Sequence, residues 1–383
     1  MYNQLEEIAE SNSHLQQITL PWIRQGRVQY LDGLRAVAIA FVIASHAAPA
    51  TPFKLFAAFV LWSRIGHLGV SLFFVISGFL ISLLLFREMD RVGKISLRQF
   101  YSRRILRIMP AYFTYIIIMF AVTRVIDLHI RSRNWITASL FCVSLDRTEN
   151  QSWQLGHLWS LSVEEHFYLL WPILIALCSV RSAVIVASFY VMITPVLRYF
   201  IQLHVPQLDI EFASPVEMST IAVGCLCAYA VFTHNVQISA YFRSNRARLF
   251  LFGGMAGLFG STWLGHRVWH YQFIFGDPVN SILLGLVLLG IFYGGGGVIA
   301  RQLNSKPMRA IGILSYSLYL WQQPFTYKVN YWAVIWPWNI IFPVIAAPCS
   351  YFIVERPFLL MKERVGSRRR ATVNGEKVLG SDA

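Results

Sequence analysis

Charge is scarce in this sequence. Only 14% of its 383 residues are Asp, Glu, Lys or Arg, against roughly a quarter in soluble domains, while 56% are hydrophobic. That balance excludes a disordered chain and speaks against a single soluble core. Acidic residues are rarer still, 19 against 33 Lys and Arg, for a net charge of +14. A nucleic-acid footprint needs basic residues gathered on a water-facing domain; none is visible, so no nucleic-acid partner is expected. The five cysteines, Cys142, Cys178, Cys225, Cys227 and Cys349, lie mostly in apolar runs without C-x-x-C spacing, which reads as small buried hydrophobes rather than metal or redox ligands. The stretch before Arg27 lacks the basic and apolar regions of a cleaved signal peptide. No repeat stands out, and Gly294 to Gly297 are not followed by the Lys-Ser/Thr of a phosphate-cradling loop.

What the sequence has is long apolar runs. A membrane-crossing helix takes about 20 mostly apolar residues, and ten segments approach that length, near 32–49, 67–86, 110–127, 156–178, 182–201, 214–233, 249–265, 279–299, 311–328 and 335–354. The apolar residues run continuously instead of alternating, so helices are expected and a barrel is not. The predicted fold is an all-α polytopic membrane bundle of about ten transmembrane helices. It occupies 29–358, between an N-terminal tail, 1–28, and a basic C-terminal tail, 359–383. With both termini in the cytoplasm, the inner segments, including a loop at 87–109, carry 23 Lys and Arg; the outer ones carry nine, Arg198 among them. This asymmetry supports that orientation, and any chemistry is expected to use the bundle and its loops.

Ionisable residues inside such spans are costly and usually face a polar cavity. Arg35 and His46 share the first span, and their 11-residue separation amounts to about 16 Å of rise and only about 20° of rotation, so both face one direction. Arg35 either snorkels to the inner headgroups or lines a cavity; His46 is either a packing histidine or a working one. In the fourth span, Glu164 and Glu165 point about 100° apart. One is expected at the cavity, as an acid or as the group that orients the histidine, and the other as the partner of an arginine. His166, among aromatic and aliphatic neighbours, reads as packing. Arg104 and Arg107 lie three apart on one helical face, a geometry that suits phosphate groups or, alternatively, lipid headgroups. Ser77 and Gly78 are small residues in an aromatic helix, fitted for close packing or for passage of a ligand tail. Trp135 and Trp153, in the outer segment 128–154, suit either sugar stacking or anchoring at the membrane interface.

Several of these pieces occur together in a pattern. Arg35-x10-His46, FFVISGF at Phe73 to Phe79, R-x-x-R at Arg104 and Arg107, WSLSVEEHFYLLWP at Trp159 to Pro172, SYSLYLW at Ser315 to Trp321 and ERPF at Glu355 to Phe358 together resemble the membrane acyltransferase 3 family. Its members are ten-helix O-acyltransferases that modify lipopolysaccharide, exopolysaccharide, Nod factors and macrolides. The resemblance spans about 29–358. It implies acyl-CoA, acetyl-CoA foremost, as a donor used from the cytoplasmic side of a bacterial inner membrane, and a carbohydrate or lipid-linked glycan as acceptor. By that likeness His46 is the general base and Arg35 supports it. Arg104 and Arg107 hold the donor, with Ser77 and Tyr319 as further donor contacts, and Glu164 or Glu165 completes the centre. Neither a metal nor a permanently bound cofactor is implied. Two positions depart from the family: it often has Gln where His166 stands, and a His-x-Pro where this chain has Gln322, Gln323 and Pro324, so a second titratable group on the ninth span is missing. A different class fits the same residues, a transporter or flippase of a polar or lipid-linked solute with an Arg/His/Glu relay.

Overall fold

A computed structural model describes residues 23–24, 27–28, 30–126, 128–146, 152–205, 210–242, 246–293, 297–326 and 335–361. Nearly all of the predicted 1–28 and 359–383 tails lies outside this set. Two two-residue strands, Ile23–Arg24 and Arg27–Val28, pair antiparallel, and among the described residues the regular elements after them are all helical.

The helices that build the bundle are α1 Leu31–Ala47, α2 Lys54–Trp62, α3 Ile65–Val92, α4 Leu97–Thr123, α5 Leu158–Leu177 and α6 Val180–His204. After them come α7 Ser214–Phe242, α8 Arg246–Arg267, α9 Asp277–Tyr293, α10 Lys306–Ile313, α11 Ser315–Gln322 and α12 Trp338–Ser350. Among the described residues seven helices are long and apolar enough to cross a membrane: α1, α3, α4, α6, α7, α9 and α12 with their continuations. The chain is a multi-pass helical membrane protein. Two further expected spans, 156–178 and 249–265, are the helices α5 and α8, which have the length but a more polar sequence.

The central post is α3, whose 28 residues rise about 42 Å. It packs along α1 on one side and α7 on the other. The contact with α7 depends on missing side chains. A Cβ added at Gly78 would overlap the Ile221 carbonyl, and one at Gly224 would overlap the Val75 carbonyl. In lipid, where apolar burial adds little drive, such close backbone approach supplies the packing energy. Large apolar side chains such as Phe189, Leu169 and Ile345 face outward, as lipid contact demands.

Three expectations are corrected. The inner loop at 87–109 shrinks to 93–96, because α3 runs on to a left-handed cap at Gly93 and α4 starts at Leu97. Arg104 and Arg107 therefore ride on a helix. The span at 311–328 is not one helix: α10 ends at Ile313, α11 follows after Leu314, and a 3-10 turn, Gln323–Phe325, holds Pro324. Proline removes a backbone donor and stops the helix. Within that turn the Gln323 carbonyl is satisfied by the Trp153 indole N–H at 3.0 Å and by the Thr326 hydroxyl at 3.0 Å, as a membrane interior requires. Arg198 belongs to no outer loop; it sits within α6 with 1% of its side chain exposed.

Candidate active site

Five helices, α1, α3, α4, α5 and α11, converge on a cavity of about 90 Å³. α5 contributes Ser160, Glu164 and Tyr168, which follow one another every four residues and so stand on one helical face. α3 contributes Phe73 and Ser77, again four apart, α4 contributes Arg104 and Arg107, α1 contributes Arg35, and Ser315, Tyr316 and Tyr319 come from α11. Of the sequence-predicted residues, Arg35, Ser77, Arg104, Arg107, Glu164 and Tyr319 thus meet in one place.

Glu164 is held on both oxygens. The Ser77 hydroxyl donates to Oε1 at 2.9 Å and the Tyr168 hydroxyl to Oε2 at 3.1 Å. The carboxylate is therefore satisfied without an arginine. Arg35 lies 3.5 Å from Asp32, and Arg104 stacks its guanidinium 4.3 Å from the centre of the Tyr168 ring. Among the described residues, neither Arg104 nor Arg107 meets a carboxylate within ion-pair distance. Three guanidiniums and one carboxylate around a small cavity leave net positive charge, with the directional donors that phosphate oxygens accept.

Glu165 does not share the cavity. It points to another side of α5, as the 100° step dictates, and its Oε1 is buried without a hydrogen-bond partner. The expected pairing of one glutamate with an arginine is not found among the described residues. His166, read from sequence as packing, is 2.8 Å from the Ser214 hydroxyl through Nδ1.

His46 stands at a second level. It is in the last turn of α1 and does not line the arginine cavity. Its Nδ1 lies 2.8 Å from the Gln322 side-chain carbonyl, to which Nδ1–H donates. Gln322 Nε2 donates to Gln323 Oε1 at 3.2 Å, and Gln323 Nε2 donates to the Trp153 carbonyl at 3.0 Å, which fixes the direction of both amides. Nε2 of His46 is left with its lone pair, the tautomer a base needs. Trp153 closes the level with an edge contact, its ring 5.5 Å from the imidazole. The expectation that a glutamate orients His46 is corrected: a glutamine does so, because Glu164 lies at the level of Arg35 and the rise along α1 carries His46 beyond it.

Both levels are strung along α11, with Ser315 and Tyr319 at the cavity and Gln322 at the imidazole. Between them lies a thin polar layer. The Tyr319 hydroxyl is 2.6 Å from that of Ser160 and donates to the His157 carbonyl at 2.9 Å, and the buried His157 ring packs 5.5 Å from the Tyr319 ring. Sequence reading missed Ser160, Tyr168 and the orienting part of Gln322. The first two were within reach, since both are four residues from Glu164. Gln322 was noticed as a departure and its partner was not.

A family model described as an acyltransferase domain matches residues 28–354. The O-acetyltransferase OatA of Staphylococcus aureus is 29% identical over 361 residues, covering 85% of this chain and 56% of that protein. The peptidoglycan O-acetyltransferase OatA of Listeria monocytogenes is 26% identical over 367 residues, covering 91% of this chain and 57% of that protein. The chain thus spans little more than half the length of these curated relatives. No solved structure matches it.

Proposed function

Because the chain belongs to this acyltransferase family, we propose that it moves an acyl group, acetyl foremost, from acyl-CoA to a hydroxyl of a cell-surface glycan. The observation that carries the donor half is the cavity in which Arg35, Arg104 and Arg107 surround Glu164 while, among the described residues, Arg104 and Arg107 have no carboxylate within ion-pair distance. Phosphate groups of CoA supply the missing negative charge, and the excess of Lys and Arg on that side of the sequence supports a cytosolic entrance. The membrane is then the cytoplasmic membrane of a bacterium, with both termini inside. The acceptor half draws on the relatives, one of which is named for peptidoglycan.

His46 then acts as general base. With Nδ1–H held by Gln322, Nε2 takes the proton of the acceptor hydroxyl as its oxygen attacks the thioester carbonyl. The carbon–sulfur bond breaks, CoA leaves as thiolate and receives that proton from the imidazolium, and the ester remains on the glycan. General-base catalysis of this kind contributes about 10²- to 10⁴-fold. Gln322 is neutral, so it orients the ring without the charge stabilisation that a carboxylate gives. For the thioester to meet His46, the donor must pass the Tyr319–Ser160 layer.

The test is reconstitution of the chain in proteoliposomes with acetyl-labelled CoA and glycan fragments. Label on the glycan and free CoA thiol are expected. Glycan or solute crossing the bilayer with all label still on CoA would instead establish a transporter.

A further inference from the structure

Apart from both levels, four helices deliver a second set of ionisable side chains: His67 near the start of α3, Arg198 in α6, Glu217 near the start of α7 and Asp277 at the start of α9. The Arg198 guanidinium donates to Glu217 Oε1 at 3.1 Å, pairs with Asp277 Oδ2, and donates through Nε to the Phe273 carbonyl at 2.7 Å. It therefore occupies one oxygen of each carboxylate and leaves the other free to face elsewhere. Asp277 Oδ1 accepts from the Gln272 amide at 3.2 Å and lies 3.6 Å from His67 Nδ1. Glu217 Oε2 is buried with no hydrogen-bond partner, as is Nε2 of His67. One ligand atom each from His67, Glu217 and Asp277 fall within 4.8 Å of one another.

With His67 neutral and both carboxylates ionised, two carboxylates against one guanidinium leave one negative charge uncompensated, in a place where Glu217 and Asp277 are 1% and 2% exposed. Arg64 does not cancel it, since it is engaged by Glu211 at 2.6 Å. A buried charge persists only with a partner. We propose that His67, Glu217 and Asp277 hold a divalent metal ion of the zinc or manganese class. One imidazole nitrogen and two carboxylate oxygens are a donor set those ions accept, whereas calcium takes six or more oxygens. Arg198 fixes the orientation of both carboxylates from behind, the supporting contact that ligating carboxylates ordinarily have. His67, with 12% of its side chain exposed, gives the ion its way in. Three protein ligands leave one tetrahedral position for an anion, which would bring the whole cluster to neutrality. The ion clamps α3, α7 and α9 together and is independent of the acyl-transfer reading.

The full chain, purified in mild detergent without chelator, is expected to retain roughly one equivalent of zinc or manganese by elemental mass spectrometry. After chelation, ZnCl₂ or MnCl₂ alone should raise its Tm. Glu217→Gln keeps an oxygen for Arg198 and loses the anionic ligand, so it should lose both the bound metal and the metal-induced rise in Tm while still folding. Wild-type protein with less than a tenth of an equivalent and no Tm response to either ion would overturn the proposal. A Tm that follows pH through the imidazole range and ignores both ions would overturn it as well, since a proton on His67 would then supply the charge.

Discussion

The sharpest consequence of the two-level site concerns Gln322, whose side-chain carbonyl accepts the Nδ1–H of His46. Replacing it with methionine keeps the length and approximate shape of the side chain and removes both of its hydrogen bonds, one to His46 and one to Gln323. Leaving a buried donor without a partner costs about 1–3 kcal/mol, here charged against the tautomer with its proton on Nδ1. At about 1.4 kcal/mol per factor of ten, kcat should fall roughly 10- to 100-fold. KM for acetyl-CoA should hold within a factor of about two, because Gln322 is not among the residues lining the arginine cavity. Gln322→Glu restores an acceptor at the same atom and should return most of the lost rate. The assay is release of CoA thiol by reconstituted protein in the presence of glycan, with kcat and KM measured separately. Full kcat in Gln322→Met, with the protein intact in the membrane, would refute the idea that this contact selects the working tautomer.

Other consequences are simpler to state. His46→Ala should lower transfer by about 10²-fold or more with unchanged expression; wild-type labelling of surface glycan by mass spectrometry would remove His46 from the chemistry. Arg104→Ala and Arg107→Ala each give up charge-assisted hydrogen bonds of about 1.5–3 kcal/mol, so KM for acetyl-CoA should rise about 10- to 100-fold; an unchanged KM would return them to lipid anchoring. Gly78→Val drives a side chain into the Ile221 carbonyl and should destabilise the α3–α7 contact by about 1–3 kcal/mol, read as a lower Tm in detergent, with Gly253→Ala, where an added Cβ meets nothing within 4 Å, as the control that keeps the Tm.

The bundle was legible because continuous apolar runs of membrane length leave the backbone little choice but helix; the starts of α3 and α7 follow from that, whereas both helices run on past the ends of their apolar runs, to Val92 and Phe242. The level of Arg35, Ser77 and Glu164 was legible for a related reason: few polar side chains occur inside those runs, and helical spacing says which of them share a face. What the sequence hid has one physical cause, that tertiary partners come from distant segments. Gln322 lies 276 residues from His46, and no spacing rule reaches that far. The break at Leu314 was hidden because an apolar run reads the same whether it is one helix or two short ones with a turn. Arg198, at the end of the expected span 182–201, was counted with the outer segments because its two carboxylates belong to α7 and α9, which no local pattern reveals.

A comparison of arginines within the same bundle shows why pairing, rather than depth, separates structural from ligand-facing charge. Arg198 is almost wholly buried and every face of its guanidinium is engaged, by Glu217, by Asp277 and by a backbone carbonyl. Arg104 and Arg107 are only partly buried, yet the carboxylate that lines the same cavity, Glu164, is already satisfied by two hydroxyls. Had the cavity been built only to hold helices together, Ser77 and Tyr168 would be superfluous, since an arginine would satisfy that carboxylate more strongly. Their presence keeps Glu164 and the guanidiniums apart and leaves the guanidinium donors directed at the cavity. On the proposed function these donors are the ones that the phosphates of CoA complete, since guanidinium forks match phosphate oxygens.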